Sequence, residues 1–295
     1  MTETRYAISA FNTAFESENR IHDDGVAQKF GFEGGLVPGV DDYAYMTRAA
    51  LILLGPDFLA RGHMTCRFDR PVYDGETVDV IGETTVENGV DIRIEARGAT
   101  AATGTARLTD SASLPTPDVA GLPTGPMPSH DARPKAGPDS LPEGKVMGTM
   151  RETVDATTHA QYLKDVREEH PLYTGSGLVH PGFLLRRANT ILRDTVRLGP
   201  WIHVGSAIQL RRTGRSADRR RQQACCQHPP YGHIRTASDP GGLTRSRTAC
   251  PVQRMRIMPS MHCLFSGLVL VMAMWAVQSQ AQDLPKSETV EEKDV

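Results

Sequence analysis

Residues 15–39 read FESENRIHDDGVAQKFGFEGGLVPG, and they contain the most informative local signals of the chain. Asn19 precedes His22 by three residues, and residues 24–30, which begin with an acid, are typical of a short helix. A glycine- and proline-containing turn then leads into residues 41–54, which are rich in Ala, Met, Leu and Ile. This composition predicts a longer helix that is buried on most of its faces.

Strand patterns follow that helix. Turn signals separate them at Asp74-Gly75, at Asn88-Gly89 and at Gly98. The β-rich segments are 63–68, 77–86, 90–96 and 103–109. A buried helix followed by antiparallel strands predicts an α+β fold in which the sheet wraps around the helix.

The same order of elements recurs after a linker. Residues 111–144 are rich in Pro, Gly and Ser, so they predict a boundary between a first domain, 1–110, and a second, 145–212. In the second domain the turn GLVHPG at 177–182 repeats GLVPG at 35–39. Around it we expect a strand at 146–154, a short helix at 158–166, an apolar helix at 183–196 and a strand at 201–212. The chain therefore contains an internal duplication.

The composition changes sharply after Arg212. Residues 213–260 contain nine Arg, no Lys and two Asp, and they have neither a strand period nor helix caps. Such a tail is typical of a GC-rich gene translated out of frame, so we interpret it as a frameshift or a faulty gene assembly. The second module would then be truncated. A basic nucleic-acid-binding tail is the alternative, but aromatic residues at regular spacing are missing.

An apolar segment lies within residues 261–282. Its core, 264–277, is short for a bilayer span of about 20 residues. Arg254 and Arg256 before it, and Ser279-x-Ala281 after it, imitate a secretory signal with its cleavage site. We interpret the segment as the start of an unrelated secreted protein, with a weak tail anchor as the alternative. Residues 283–295 form a polar tail.

The net charge and the cysteine content limit which partners and which compartment we expect. The chain has 295 residues and a formal net charge of −2, so neither a nucleic acid nor an anionic membrane is an expected partner. Cys66 is the single cysteine of the first 212 residues, and MTETRYAISAFN at the start has no apolar stretch, so we expect a cytoplasmic protein. Cys225 and Cys226 lack a common zinc spacing. We therefore expect no metal and no cofactor.

These motifs together resemble the MaoC-like dehydratases and (R)-specific enoyl-CoA hydratases, in a double hot-dog arrangement. That family has Asp-x-Asn-Pro-x-His, a small helix, Gly-Phe, a glycine-rich turn into the central helix, and Phe-x-x-Pro-Val at a strand start. This chain has SENRIH at 17–22, GF at 31–32, GGLVPG at 34–39 and FDRPV at 68–72. The resemblance covers residues 6–109 and, less fully, 146–212. Ser17 stands where the family has its acid.

The resemblance implies a hydro-lyase that acts on an acyl-CoA or a similar acyl thioester. A carboxylate and an imidazole on one loop can polarise the water and handle the proton for C2. The implied catalytic residues are His22, Asn19, Ser17 and Glu18. Glu18 is included because a shift of one residue would bring its carboxylate to the missing acid's position. The implied substrate-binding residues surround the turn, whose free N–H groups would hold the thioester oxygen: Gly35, Val37, Pro38, Gly39 and Phe32.

Other interpretations of these residues remain open. A thioesterase and a non-catalytic acyl-binding or partner-stabilising module are the alternative functions, since Ser17 replaces the acid. Asp23 and Asp24 suit the first turn of a helix, and Asn19 suits an Asx turn. His180 in the second turn is expected to pack at the interface of an intramolecular pseudo-dimer. A homodimer is the further possibility for assembly.

Overall fold

The first module is a hot-dog unit built around one long helix. The computed structural model describes residues 1–110 and 123–211, and beyond them only the backbone of 222–226, 256–257, 261–265 and 268–276. The elements of the first module are β1 (Glu3–Ser9), α1 (Asp24–Lys29), α2 (Gly39–Leu54), α3 (Phe58–Arg61), β2 (Gly62–Phe68), β3 (Thr77–Thr84), β4 (Gly89–Ala96) and β5 (Ala99–Leu108). The strands β2 to β5 follow the long helix α2, as predicted, while β1 precedes the helices.

Helix α2 lies against the sheet formed by β1, β3, β4, β5 and β2 in that spatial order, all antiparallel. The helix is buried on most faces, with Tyr43 and Met46 fully enclosed. Glycines in the sheet allow the close approach. A Cβ atom on Gly104 would lie 2.6 Å from the Met46 Cε atom, and one on Gly82 would lie 3.0 Å from the Ala49 Cβ atom. This packing fixes the height of α2 above the sheet.

The second module repeats the helix and continues the sheet. Its elements are β6 (Met150–Glu152), α4 (Ala156–Asp165), α5 (Pro171–Thr174), α6 (Pro181–Thr195) and β7 (Trp201–Leu210). Strand β7 pairs with β2 in antiparallel register, from His63 opposite Gln209 to Arg67 opposite Gly205. Helices α2 and α6 pack on each other, and a Cβ atom on Gly182 would lie 3.0 Å from the Ala44 Cβ atom. The predicted tandem hot-dog architecture is confirmed.

Strands also occur in the part of the chain for which the sequence predicted an irregular tail and a signal-like or anchor-like segment. They are β8 (Gln222–Cys226), β9 (Arg256–Ile257), β10 (Met261–Phe265) and β11 (Leu268–Ala276). Strand β11 pairs with β7, β10 with β11, β8 with β10, and β6 with β8, while β9 adds to β11. Apolar residues of LVLVMAMWA suit a strand on an open sheet edge as well as they suit a signal segment. The out-of-frame origin of the tail stays a prediction.

Part of the predicted linker lies against the second module. Residues 123–144 of the linker run along the second module and contain one turn of 3-10 helix, His130–Ala132. Residues 111–122 lie outside the described residues, as does the predicted polar tail. Within the part of the chain that the structure describes, no helix is both long and apolar enough to span a bilayer.

Candidate functional site

The loop between β1 and α1 ends in one turn of 3-10 helix, Arg20–His22. Asp23 then caps α1, because its Oδ1 atom accepts a hydrogen bond of 3.0 Å from the Val26 N–H group. Asp24 Oδ1 accepts a bond of 2.7 Å from the Gly35 N–H group. Asp24 lies in the first turn of α1 as predicted, whereas Asp23 is the N-cap just before it. Together the two acids hold the loop and the following turn in place.

Both ring nitrogens of His22 have partners. Nδ1 lies 2.6 Å from the Leu36 carbonyl oxygen, and Nε2 lies 3.2 Å from Asn19 Nδ2. Because a carbonyl oxygen only accepts, Nδ1 carries the proton and Nε2 accepts from the Asn19 amide. Burial lowers the pKa of His22 below its ordinary value, against an opposing effect of the Leu36 hydrogen bond. The imidazole is therefore neutral at neutral pH.

Asn19 joins the loop to the second module. Its Nδ2 group donates to the Trp201 carbonyl oxygen at 2.9 Å, and its Oδ1 atom accepts from the Trp201 N–H group at 3.1 Å. These two bonds fix which way the amide points, so the direction of the third contact, to His22 Nε2, is fixed as well. The side chain of Asn19 links two modules and does not form an Asx turn.

A cavity of about 380 Å³ lies between the two modules at this loop. Its volume is within the range of small-molecule sites. The loop from β1, the start of α2, one face of α6 and the first residue of β7 form its walls. The lining residues are Thr13, Ala14, Phe15, Glu16, Ser17, Asn19, His22, Pro38, Val40, Arg186, Arg187, Asn189, Thr190, Arg193 and Trp201.

The N-terminus of α2 opens at this cavity. Gly39 and Val40 are the first helical residues, so their N–H groups have no partner within the helix. Pro38 precedes them and supplies no side-chain cap. Pro38 and Val40 both line the cavity. The free N–H groups and the helix dipole make this end a suitable place for a developing negative charge.

Helix α6 forms a polar wall opposite the loop. Its arginines are already paired with acids: Arg186 Nη2 lies 2.7 Å from Asp41 Oδ1, and Arg187 Nη2 lies 2.6 Å from Glu152 Oε1. Arg193 Nε lies 2.8 Å from Asp194 Oδ1. The positive charge of this wall is therefore largely compensated.

Four of the predicted site residues line the cavity: Ser17, Asn19, His22 and Pro38. Ser17 Oγ donates to the Asn19 carbonyl oxygen at 3.3 Å. Glu18 points away from the cavity, since Oε2 binds Arg133 Nη1 and Oε1 binds His130 Nε2, each at 2.9 Å. Arg133 is buried, so the carboxylate of Glu18 anchors the linker. A shift of the loop by one residue, which would bring Glu18 to the position of Ser17, would have to break the ion pair between Glu18 and Arg133.

The other predicted binding residues pack around the loop and the turn, outside the cavity lining. A Cβ atom on Gly35 would lie 2.1 Å from the His22 carbonyl oxygen, and one on Gly39 would lie 2.8 Å from the Phe68 Cδ2 atom. Val37 is buried and its N–H group donates to the Val72 carbonyl oxygen at 2.8 Å. Phe32 packs on a small apolar cluster beside α1. None of these four residues lines the cavity, although Gly39 is the first residue of α2 and its N–H group has no partner within the helix.

The sequence did not indicate several cavity residues. Arg186, Asn189 and Trp201 come from the second module, more than 140 positions after the loop. Their position follows from the pairing of β2 with β7 and from the packing of α2 on α6. Only the recurrence of the turn and helix gave a signal, since it predicted that α6 would face α2. Glu16 was next to the quoted motif and was not singled out.

Solved structures of other proteins share the fold of this chain. No family model matches the chain, and no curated protein matches it. A solved MaoC-like dehydratase shares 12% identity, covers 94% of this chain and 98% of its own, and superposes with a TM-score of 0.53. The dehydratase domain from the CurF module of the curacin polyketide synthase shares 13% identity over 93% of this chain and 92% of its own, with a TM-score of 0.51. The resemblance to MaoC-like proteins of hot-dog fold is therefore confirmed at the level of the fold.

Proposed function

We propose that this chain is a hydro-lyase that adds water to, or removes it from, an acyl-CoA or a similar acyl thioester in the cytoplasm. The observation that carries the proposal is the cavity between the modules. Asn19 and His22 line one side of it, and the open N-terminus of α2 lies at Pro38 and Val40. The similarity to solved dehydratases supports the same reaction class at the level of the fold.

Hydration of a 2-enoyl thioester needs two things that this arrangement can supply. A water must be held for attack on C3, and His22 Nε2 is a hydrogen-bond acceptor in the cavity. Its one lone pair already accepts from Asn19 at 3.2 Å, so a bound water would share or displace that bond. Negative charge on the thioester oxygen must also be stabilised. The open N-terminus of α2 beside the lining residues Pro38 and Val40 supports that role.

A thioesterase is the second candidate, and Ser17 favours it. The hydroxyl group lines the cavity at the position where the resemblance implies an acid. Without that acid, water could be directed to the thioester carbonyl carbon and not to C3. A non-catalytic acyl-binding module is the third possibility, because both ring nitrogens of His22 are already engaged.

Crotonyl-CoA separates the three functions in one assay. Loss of the absorbance of the conjugated double bond without release of thiol indicates hydration, which is the expected result. Release of free thiol indicates a thioesterase. Binding measured by calorimetry without either change indicates a binding module and would reject the proposed hydro-lyase.

The variant His22→Ala tests the role of the imidazole. Turnover per folded molecule should fall about 10²- to 10⁴-fold if His22 handles the water. The protein should also lose about 1–3 kcal/mol of stability, because the Leu36 carbonyl oxygen loses its donor. A loss of stability with full activity per folded molecule would assign His22 a structural role only. Ser17→Asp is the companion variant, and it should raise hydratase activity by restoring the acid.

A further inference from the structure

The cavity contains a carboxylate that the motif does not predict. Glu16 lines the cavity with Ser17, Asn19 and His22. Among the described residues that line the cavity, it is the only one with an acidic side chain. It is exposed, and no ion pair joins it to the described part of the chain. A carboxylate and a neutral imidazole that line one cavity are a combination suited to acid–base chemistry on water.

The acids nearest to the cavity already have hydrogen-bond and ion-pair partners elsewhere. Glu18 binds Arg133 and His130 outside the cavity. Asp41 is fully buried, and its two oxygens accept from Thr13 Oγ1 at 2.6 Å and from Arg186 Nη2 at 2.7 Å. Neither carboxylate lines the cavity.

His22 is better suited to hold a water than to take its proton. Its Nδ1 proton is directed to the Leu36 carbonyl oxygen, and its Nε2 lone pair is shared with the Asn19 amide. Burial disfavours the charged imidazolium. A second group is therefore needed to accept the proton of the attacking water.

We propose that Glu16 is the catalytic carboxylate of this cavity, in place of the acid that Ser17 replaces. The inference rests on the proposed hydro-lyase function. As the water oxygen bonds to C3, the Glu16 carboxylate takes one proton of that water, and the electron pair of the C2=C3 bond moves to C2. The protonated Glu16 then gives the same proton to C2, so water has been added and the carboxylate is restored.

The variant Glu16→Gln keeps the size of the side chain and removes the charge. We expect kcat for crotonyl-CoA hydration to fall about 10²- to 10⁴-fold. The affinity for the saturated analogue butyryl-CoA, measured by calorimetry, and the melting temperature should both stay unchanged, because the side chain is exposed. A charge that acts only in binding would instead change the affinity and leave kcat unchanged.

Glu33→Gln is the matched control, since Glu33 is an exposed acid near α1 that does not line the cavity, and its kcat should equal that of the wild type. Wild-type kcat in Glu16→Gln would overturn the inference while leaving the hydro-lyase function in place. A 10²-fold loss in Glu18→Gln with none in Glu16→Gln would overturn it in favour of the neighbouring acid. Absence of hydration by the wild type would instead reject the proposed function itself.

Discussion

The Asn19 side chain bonds both backbone groups of Trp201, at 2.9 Å and 3.1 Å, across the boundary between the two modules. Strand β2 pairs with β7 only as far as Arg67 opposite Gly205. Trp201, at the start of β7, lies beyond this pairing, and Asn19 bonds its backbone there as a neighbouring strand would. The same amide contacts His22 Nε2. The orientation of the imidazole therefore depends on the docking of the second module.

Replacing Asn19 should test this connection. Asn19→Ala leaves the Trp201 N–H and carbonyl groups without their partner in a buried place, which should cost about 2 kcal/mol of unfolding free energy. Turnover should also fall, since His22 loses the group that fixes Nε2. Urea unfolding and steady-state kinetics measure the two effects. Asn189→Ala is the control for stability, because the buried Asn189 Oδ1 atom has no partner among the described residues and its loss should cost little. Equal stabilities of the two variants would contradict the argument.

The local elements could be read from the sequence because each has a local signal. The turn residues Asp74-Gly75 and Asn88-Gly89 separate strands that the structure places at Thr77–Thr84 and Gly89–Ala96. Asp23 follows the N-cap rule and caps α1. The spacing of Asn19 and His22 likewise pointed to the loop that lines the cavity.

Contacts between distant residues gave no such signal. Glu18 binds Arg133 across 115 positions, and Asn19 binds Trp201 across 182, so neither partner follows from a pattern or a period. The apolar residues of 264–277 were interpreted as a signal-like segment or a weak tail anchor, and no sequence pattern indicated that β11 pairs with β7. That pairing is a property of the tertiary fold, while the origin of the segment stays a prediction.

Gly35 should be intolerant of any side chain. A Cβ atom there would lie 2.1 Å from the His22 carbonyl oxygen and 3.2 Å from Asn12 Nδ2, which itself donates to that carbonyl at 2.8 Å. Because backbone must move to relieve the clash, Gly35→Ala should lower stability by about 1–3 kcal/mol and displace His22, with a matching loss of turnover.

Gly199→Ala is the control for Gly35→Ala, since nothing lies within 4 Å of its added Cβ atom. That substitution should leave turnover unchanged and raise stability by about 0.4–1 kcal/mol through the unfolded chain. Thermal melts of both variants, together with crotonyl-CoA kinetics, provide the comparison. Retention of full activity by Gly35→Ala would show that the loop tolerates displacement.

His203 should make stability depend on pH. It is buried, and burial lowers its pKa to about 4, below the ordinary value of 6.5. The unfolded chain therefore binds the proton first as the pH falls, so unfolding free energy should be at its full value above pH 6.5 and should decline toward about pH 4. His203→Gln should make that slope shallower by up to about 1.4 kcal/mol per pH unit.

Urea titrations at several pH values measure the slope. His130→Gln is the control, because hydrogen bonds to Asp131 and Glu18 raise the pKa of His130 and give its contribution the opposite sign. An unchanged slope in His203→Gln would mean that another group titrates in this range. His159, whose pKa burial also lowers to about 4, would be the next to replace.

The ion pair between Asp41 and Arg186 joins the two central helices, α2 and α6, at 2.7 Å. Asp41 is fully buried, and its second oxygen accepts from Thr13 Oγ1. Arg186→Met should therefore cost about 3 kcal/mol, because it leaves a buried carboxylate without its cation. Asp41→Asn in the same chain should recover much of that loss, since the amide carries no charge to compensate. Urea unfolding of the two single variants and the double variant gives the coupling energy. If the losses are simply additive, the pair contributes nothing specific to the docking of the modules, and the packing of α2 on α6 alone holds them together.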